Sequence, residues 1–165
     1  MGVTVRLASL ADMPFLRDML WEATAVSATM RARGKEAALA LPSVSKYLDN
    51  WGRPGDAAVV AVAAPRHHLG ASWYRLFPAG AGSYGFVAPD IPELSIGVAA
   101  GARGHGVGTA LVRALLDRAR AQGFNQMSLS VDRQNPARAL YERLGFRDAG
   151  VSVPEDTSIT LIAAL

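Results

Sequence analysis

The chain has 165 residues, half of them hydrophobic, with no cysteine and seventeen basic against fourteen acidic side chains. That length and apolar content suit one domain with a sizeable core, so residues 1–165 are read as a single unit. The missing cysteines exclude disulfides, thiolate metal sites and a cysteine nucleophile, while a formal charge of +3 favours anionic ligands only weakly.

The start, MGVTVRLASLADM, has no apolar core behind a basic segment, and no stretch approaches the roughly 18 apolar residues of a membrane span. A cytoplasmic protein without membrane contact is the expectation. VTVRLA opens as a strand, and Ser9 with Asp12 three residues on forms a capping box for the helix DMPFLRDMLWEATA. Met13, Leu16, Leu20 and Ala23 supply its core face. VSATMRARGKEAALALPSVSKYLDN reads as helical pieces broken at Gly34 and Pro42, fitting either the flank of a cleft or a plain surface helix pair. After the turn cluster Gly52 to Gly55, DAAVVAVAAP is a buried strand and HLGASWYRLF its hairpin partner. His67 and His68 are expected on that turn in solvent, and with no further ligands at metal spacing no metal site is expected. PAGAGSYGFVAPDIP carries too much glycine and proline for a regular element, and such a loop is either functional or mobile. Tyr84 and Phe86 inside it, with Trp73 and Tyr74 before it, are candidates to line an apolar acceptor pocket, core packing being the competing role of Trp73.

The chain is organised around Glu93 to Gly123. In ELSIGV, Leu94, Ile96 and Val98 alternate with Ser95 and Gly97, the period of a strand. Val107, Ala110, Leu111, Ala114, Leu115 and Ala119 then recur at helical spacing, and Gly123 stands where a left-handed cap falls. Between them lies Arg103-Gly104-His105-Gly106-Val107-Gly108, followed by Thr109. A helix start offers unpaired N–H groups and partial positive charge, and residues without Cβ let a phosphate come close, so this turn is a candidate pyrophosphate cradle. It lacks the Gly-Lys-Ser/Thr of a Walker loop, and a dinucleotide fingerprint would need glycine at Thr109. NQMSLSVD follows as a strand, and Asn135-Pro136 starts a helix, ARALYERL, with Ala139, Leu140 and Leu144 inward and Gly145 at its end. FRDAGVSV and DTSITLIAAL close the chain as two strands.

Arg-x-x-Gly-x-Gly after a strand ending in valine resembles the coenzyme A segment of the GCN5-related N-acetyltransferase (GNAT) superfamily. Asn135, Leu140, Tyr141 and Gly145-Phe146 resemble its second motif, with Ala137 or Ala139 as the motif alanine. The element order resembles the family over nearly the whole chain. The resemblance implies an α/β (α+β) fold: a mixed, centrally splayed β-sheet flanked by helices. It also implies transfer of acetyl from acetyl-CoA directly to a primary amine of a small molecule or a protein, with no metal. Ile96, Gly97 and Val98 would pair with the pantetheine arm. N–H groups from Arg103 through Gly104, His105, Gly106, Val107 and Gly108 to Thr109 would hold the pyrophosphate, and Asn135 would reach the pantetheine. Tyr141 would face the thioester sulfur as proton donor. The Val98 N–H is a candidate oxyanion donor. Glu93, beginning the central strand beside the aromatic loop, is the preferred base, acting through water; Asp132 is the alternative, and a solvated strand-end carboxylate is the plain reading of Glu93. A non-catalytic coenzyme-binding or partner-binding member is the other function considered. Dispersed basic residues without an aromatic stripe argue against nucleic acid, and a homodimer is left open.

Overall fold

The computed structural model describes residues 2–64 and 66–165. Strand β1 (Thr4–Leu7) leads through one 3-10 turn into helix α1 (Met13–Thr24). Ser9 N–H donates to Asp12 Oδ2 at 2.7 Å, and the same carboxylate takes two guanidinium nitrogens of Arg6 at 2.8 and 3.0 Å. The Arg6 bonds above all hold this carboxyl well below the usual carboxylate range. Leu16, Met19 and Leu20 are the buried residues of α1, whereas Met13 and Ala23 are only half-buried. The helical pieces α2 (Ala28–Arg33), α3 (Lys35–Ala40) and α4 (Pro42–Ser45) break at Gly34, with φ of +92°, and at Pro42.

The rest of the chain gives β2 (Ala57–Ala64), β3 (His67–Arg75), β4 (Glu93–Val98), α5 (Val107–Ala121), β5 (Gln126–Asp132), α6 (Ala137–Arg143), β6 (Arg147–Asp148) and β7 (Ser158–Ala164). They form one seven-stranded sheet in the order β1-β2-β3-β4-β5-β7-β6. Every pairing is antiparallel except that of β4 with β5. One face is covered by α5, whose Leu111, Val112 and Leu115 pack on Val59, Leu94 and Leu129; the other carries α1, α3 and α4 over Val60, Ala71 and Trp73. This is the mixed, helix-flanked sheet that the sequence implied.

Three local readings are corrected. His67 is exposed, as expected, but it begins β3, and His68 is drawn in: its ring lies 4.9 Å from that of Phe15, with Nε2 3.4 Å from Asp12 Oδ1. Tyr74 faces α5, fully buried, with its hydroxyl on Gln122, so it cannot line an acceptor pocket. The FRDAGVSV strand ends after Asp148, whose Oδ1 accepts from Gly150 N–H at 2.8 Å and turns the chain away through a glycine at φ of +77°. Among the described residues, no helix is long and apolar enough to cross a membrane, and no cluster of three metal-ligating side chains occurs.

A buried carboxyl below, a glycine turn above: the candidate active site

β4 and β5 pair only at Glu93 with Ser128 and Leu94 with Leu129. Their outer neighbours do not share this break, because β3 follows β4 to Val98 and β7 follows β5 to Asp132. Beyond Leu94 the two strands therefore diverge, and a cleft of about 1030 Å³ opens along the gap. Ala99 N–H still donates to Leu69 O on the β3 side. By alternation the N–H and C=O of Ile96 and Val98 face the gap, while those of Gly97 face β3. Gly97 serves a different need: an added Cβ would run into the Met19 backbone, so it lets α1 sit directly on the strand.

Glu93 is 3 % exposed and lines the cleft, which replaces the solvated strand-end carboxylate with a buried one. The loop between β3 and β4 covers it. Glu93 Oε2 accepts from Gly85 N–H at 3.0 Å, Gly85 O accepts from Ser128 Oγ at 2.7 Å, and Tyr84 O accepts from Thr160 Oγ1 at 3.2 Å. A Cβ at Gly85 would stand 2.8 Å from the Leu129 backbone and 3.0 Å from Glu93 Cδ, so only glycine permits this approach. Tyr47 Oη accepts from Tyr84 N–H at 2.9 Å, and Trp73 Nε1 holds Tyr47 O at 3.1 Å. Glu93 Oε1 and Ser83 Oγ are buried without a formed hydrogen bond. Burial raises the Glu93 carboxyl above its ordinary range, against smaller opposing pulls from Ser83, Gly85, Tyr47 and the charge of Lys46. A carboxylate so placed gains more from accepting a proton than one in water.

At the other end of the gap, Gly104 and Gly106 adopt φ of +79° and +78°, and Gly106 immediately precedes the first turn of α5. A Cβ at either would meet nothing within 4 Å, so both face open space. Gly108 brings three elements together, its Cβ direction lying 3.6 Å from Leu140 of α6 and 3.9 Å from Ile96 of β4. Arg103 ties the turn down, with Nε on Val98 O at 3.3 Å and an ion pair to Glu22 of α1 at 3.1 Å. Gly104, Gly106, Val107 and Thr109 line the cleft; the His105 side chain is exposed and does not.

Just before α6, Asn135 Oδ1 accepts from the N–H of Ala137, the first residue of the helix, at 2.9 Å, and Asn135 also lines the cleft. The inward face differs from the expectation. Ala139 is exposed and Tyr141 is buried, its ring edge-on to Phe146 at 6.1 Å. The chain hooks back at Gly145 and carries Phe146 under the helix, where Phe146 N–H bonds to Tyr141 O at 3.0 Å; this draws Tyr141 in. Tyr141 nevertheless lines the cleft, and burial pushes the phenol up to about 12. Asp132 also lines the cleft, with Oδ1 occupied by Gln134 N–H at 2.9 Å. Tyr47 and Ser83 escaped the sequence reading because neither stands in a motif; each is joined to Glu93 only by folding.

The model of the acetyltransferase (GNAT) family matches residues 32–146, well over half of the chain. The chain belongs to the GNAT acetyltransferase family. Within that family its similarity to an L-methionine sulfoximine/L-methionine sulfone acetyltransferase of Pseudomonas aeruginosa is 31% identity over 155 residues, covering 91% of this chain and 83% of the relative. Two solved structures align over nearly their whole length: a GCN5-related N-acetyltransferase from Kribbella flavida, with a TM-score of 0.68 and 27% identity over 99% of this chain and 98% of that one, and a ribosomal-protein-alanine N-acetyltransferase from Brucella melitensis, at 0.71 and 25% over 98% and 99%. This GNAT protein is an N-acetyltransferase of a family that uses acetyl-CoA.

Proposed function

We propose that the 1–165 domain transfers acetyl from acetyl-CoA to the primary amine of a small molecule held against Glu93, without a metal. The splay of β4 from β5 is the observation that carries this reading. It leaves the Ile96 backbone groups and the Val98 N–H without a strand partner beside a turn of two left-handed glycines, while Val98 O accepts from Arg103, and it buries a carboxyl at the closed end of the same gap. The cosubstrate fits these residues. Ile96 and Val98 would accept the pantetheine arm as an added strand, and N–H groups from Arg103 to Thr109 would take the pyrophosphate at the start of α5. The side-chain amide of Asn135, whose oxygen accepts from Ala137 N–H, keeps its N–H donors for the arm. Acetyl-CoA supplies the acetyl group as a thioester.

The chain's own groups then divide the work. Glu93 takes the amine proton, through water where the acceptor does not reach it, and its raised proton affinity suits a base for amines that are largely protonated at neutral pH. Val98 N–H faces the gap and can donate to the oxygen on which charge develops. Tyr141 Oη keeps its proton throughout the working range. The burial that raises this phenol also raises a thiolate in the same surroundings, so the proton stays available to a departing sulfur. The amino-acid analogues in the name of the Pseudomonas relative support a small acceptor.

Release of free thiol from acetyl-CoA, followed against a panel of small amines, tests the reading, with Gly106→Val as the binding control. Valine at φ of +78° is strained and fills the open space before α5. Calorimetry should show coenzyme A affinity falling at least about tenfold, roughly 1.4 kcal/mol. Unchanged affinity in a folded variant would remove the cradle.

A further inference from the structure

The cleft has two chemically different walls. The cofactor wall is made by β4, the turn before α5, and α6. The opposite wall, from α1 to Tyr47 and the loop over Glu93, presents apolar side chains, Leu20, Val26, Met30 and Val44, and hydroxyls, among them Tyr47 and Tyr84. Its carboxylates are Glu93, which is buried, and Glu22, which is paired with Arg103. Among the described residues this wall has no lysine or arginine.

Three nearby cations are already engaged, and Arg33, exposed at the end of α2 one turn past Met30, does not line the cleft. Lys46 directs its ammonium to Ala81 O at 3.0 Å and Gly82 O at 2.9 Å, on the far side of the loop. The Arg31 guanidinium binds the carbonyls of Ala25 and Val26. Arg103 holds Glu22 and Val98 O. Arg143 does line the cleft, but it ends α6, one turn past Leu140, which packs at the start of α5 on the cofactor side.

We propose that the preferred acceptor is a primary amine on an apolar carrier with no carboxylate beside the amine, an inference that rests on the acetyl-transfer reading above. An α-amino acid brings its carboxylate within two bonds of the nitrogen. With that nitrogen directed to Glu93, the second carboxylate is held close to the first in a half-dry cleft, with no cation between them. Opposite charge would be needed to offset both the desolvation and the repulsion. An amide, an ester or a simple alkyl amine has no such cost, and its chain meets the apolar wall. This separates the chain from its Pseudomonas relative, whose name carries free amino-acid analogues.

Matched acceptors isolate the carboxylate: L-methionine, L-methionine amide and 3-(methylthio)propylamine, and likewise L-phenylalanine, its amide and phenethylamine. Thiol release gives kcat/KM for each, corrected for the fraction of neutral amine. Calorimetry into protein saturated with coenzyme A gives binding without turnover. The amide and the decarboxylated amine should exceed the free acid by at least tenfold in kcat/KM and bind more tightly. Equal values, or preference for the free acid, would overturn the acceptor class while leaving acetyl transfer intact. A free-acid preference that disappears in Arg143→Ala would overturn it by placing the counter-charge on α6. Absence of turnover together with absence of coenzyme A binding would instead remove the underlying transfer reading, and this inference with it.

Discussion

Glu93→Gln should slow the enzyme and stabilise the fold, and the stabilisation should depend on pH. The glutamine keeps an oxygen for Gly85 N–H, so the loop stays fastened, and it puts an N–H₂ where Oε1 now has no partner, beside the equally unpartnered Ser83 Oγ. Relieving a buried unsatisfied group is worth about 1–3 kcal/mol, and in a chain of this length each kcal/mol moves the melting temperature by about 2–4 °C. The sign follows from linkage. A carboxyl raised in the folded state binds its proton more tightly there than in the unfolded chain, so its favourable contribution is present at low pH and is lost as pH rises through the folded-state pKa. The variant should therefore melt higher than wild type at pH 8, and the gap should close toward pH 4, where the wild-type carboxyl is protonated. In turnover, Glu93→Gln should lose most at low pH and converge with wild type as the acceptor amine becomes neutral unaided. Differential scanning calorimetry across pH, paired with kcat/KM profiles, measures both. A variant that melts below wild type at pH 8, or whose advantage is constant in pH, would refute the description of Glu93 as a buried and incompletely partnered carboxylate.

Tyr141→Phe keeps the ring against Phe146 and deletes only the hydroxyl, so turnover should fall on the order of 10²-fold while coenzyme A affinity and melting temperature stay at wild-type values; wild-type turnover when chemistry limits the rate would leave Tyr141 as packing. Arg75 is 1% exposed, forms two bonds to Asp56 at 3.0 and 2.7 Å, and holds Lys46 O and Asp49 O, the backbone on either side of Tyr47. Arg75→Leu should cost about 3–5 kcal/mol by stranding Asp56, read as a denaturant midpoint, and Asp56→Leu added to it should recover part of that loss; a cost below about 1 kcal/mol would show the pair to be dispensable.

Local sequence was enough for most of the elements and for the glycine turn before α5. Alternation in ELSIGV, helical spacing from Val107 to Ala119 and the glycines at 104, 106 and 108 are properties of adjacent residues, and backbone sterics acts at that range. Where a residue's role depends on what crosses it, the sequence was silent or misleading. Tyr47 reaches Tyr84 across 37 positions, and Ser128 meets Gly85 across 43. Glu93 is buried because that loop folds back on it, and Tyr141 turns inward because Phe146 passes beneath its helix. Of the three residues expected inward on α6, Leu140 and Leu144 pack on the core and Ala139 does not; a helix of seven residues beside a cleft takes its buried face from what packs on it and not from its own periodicity. The splay that makes the site was implied by the resemblance alone. No residue of β4 or β5 announces where their ladder stops; the stop exists only in the assembled sheet, where β4 stays with β3 to Val98 and β5 stays with β7 to Asp132 while the two part from each other.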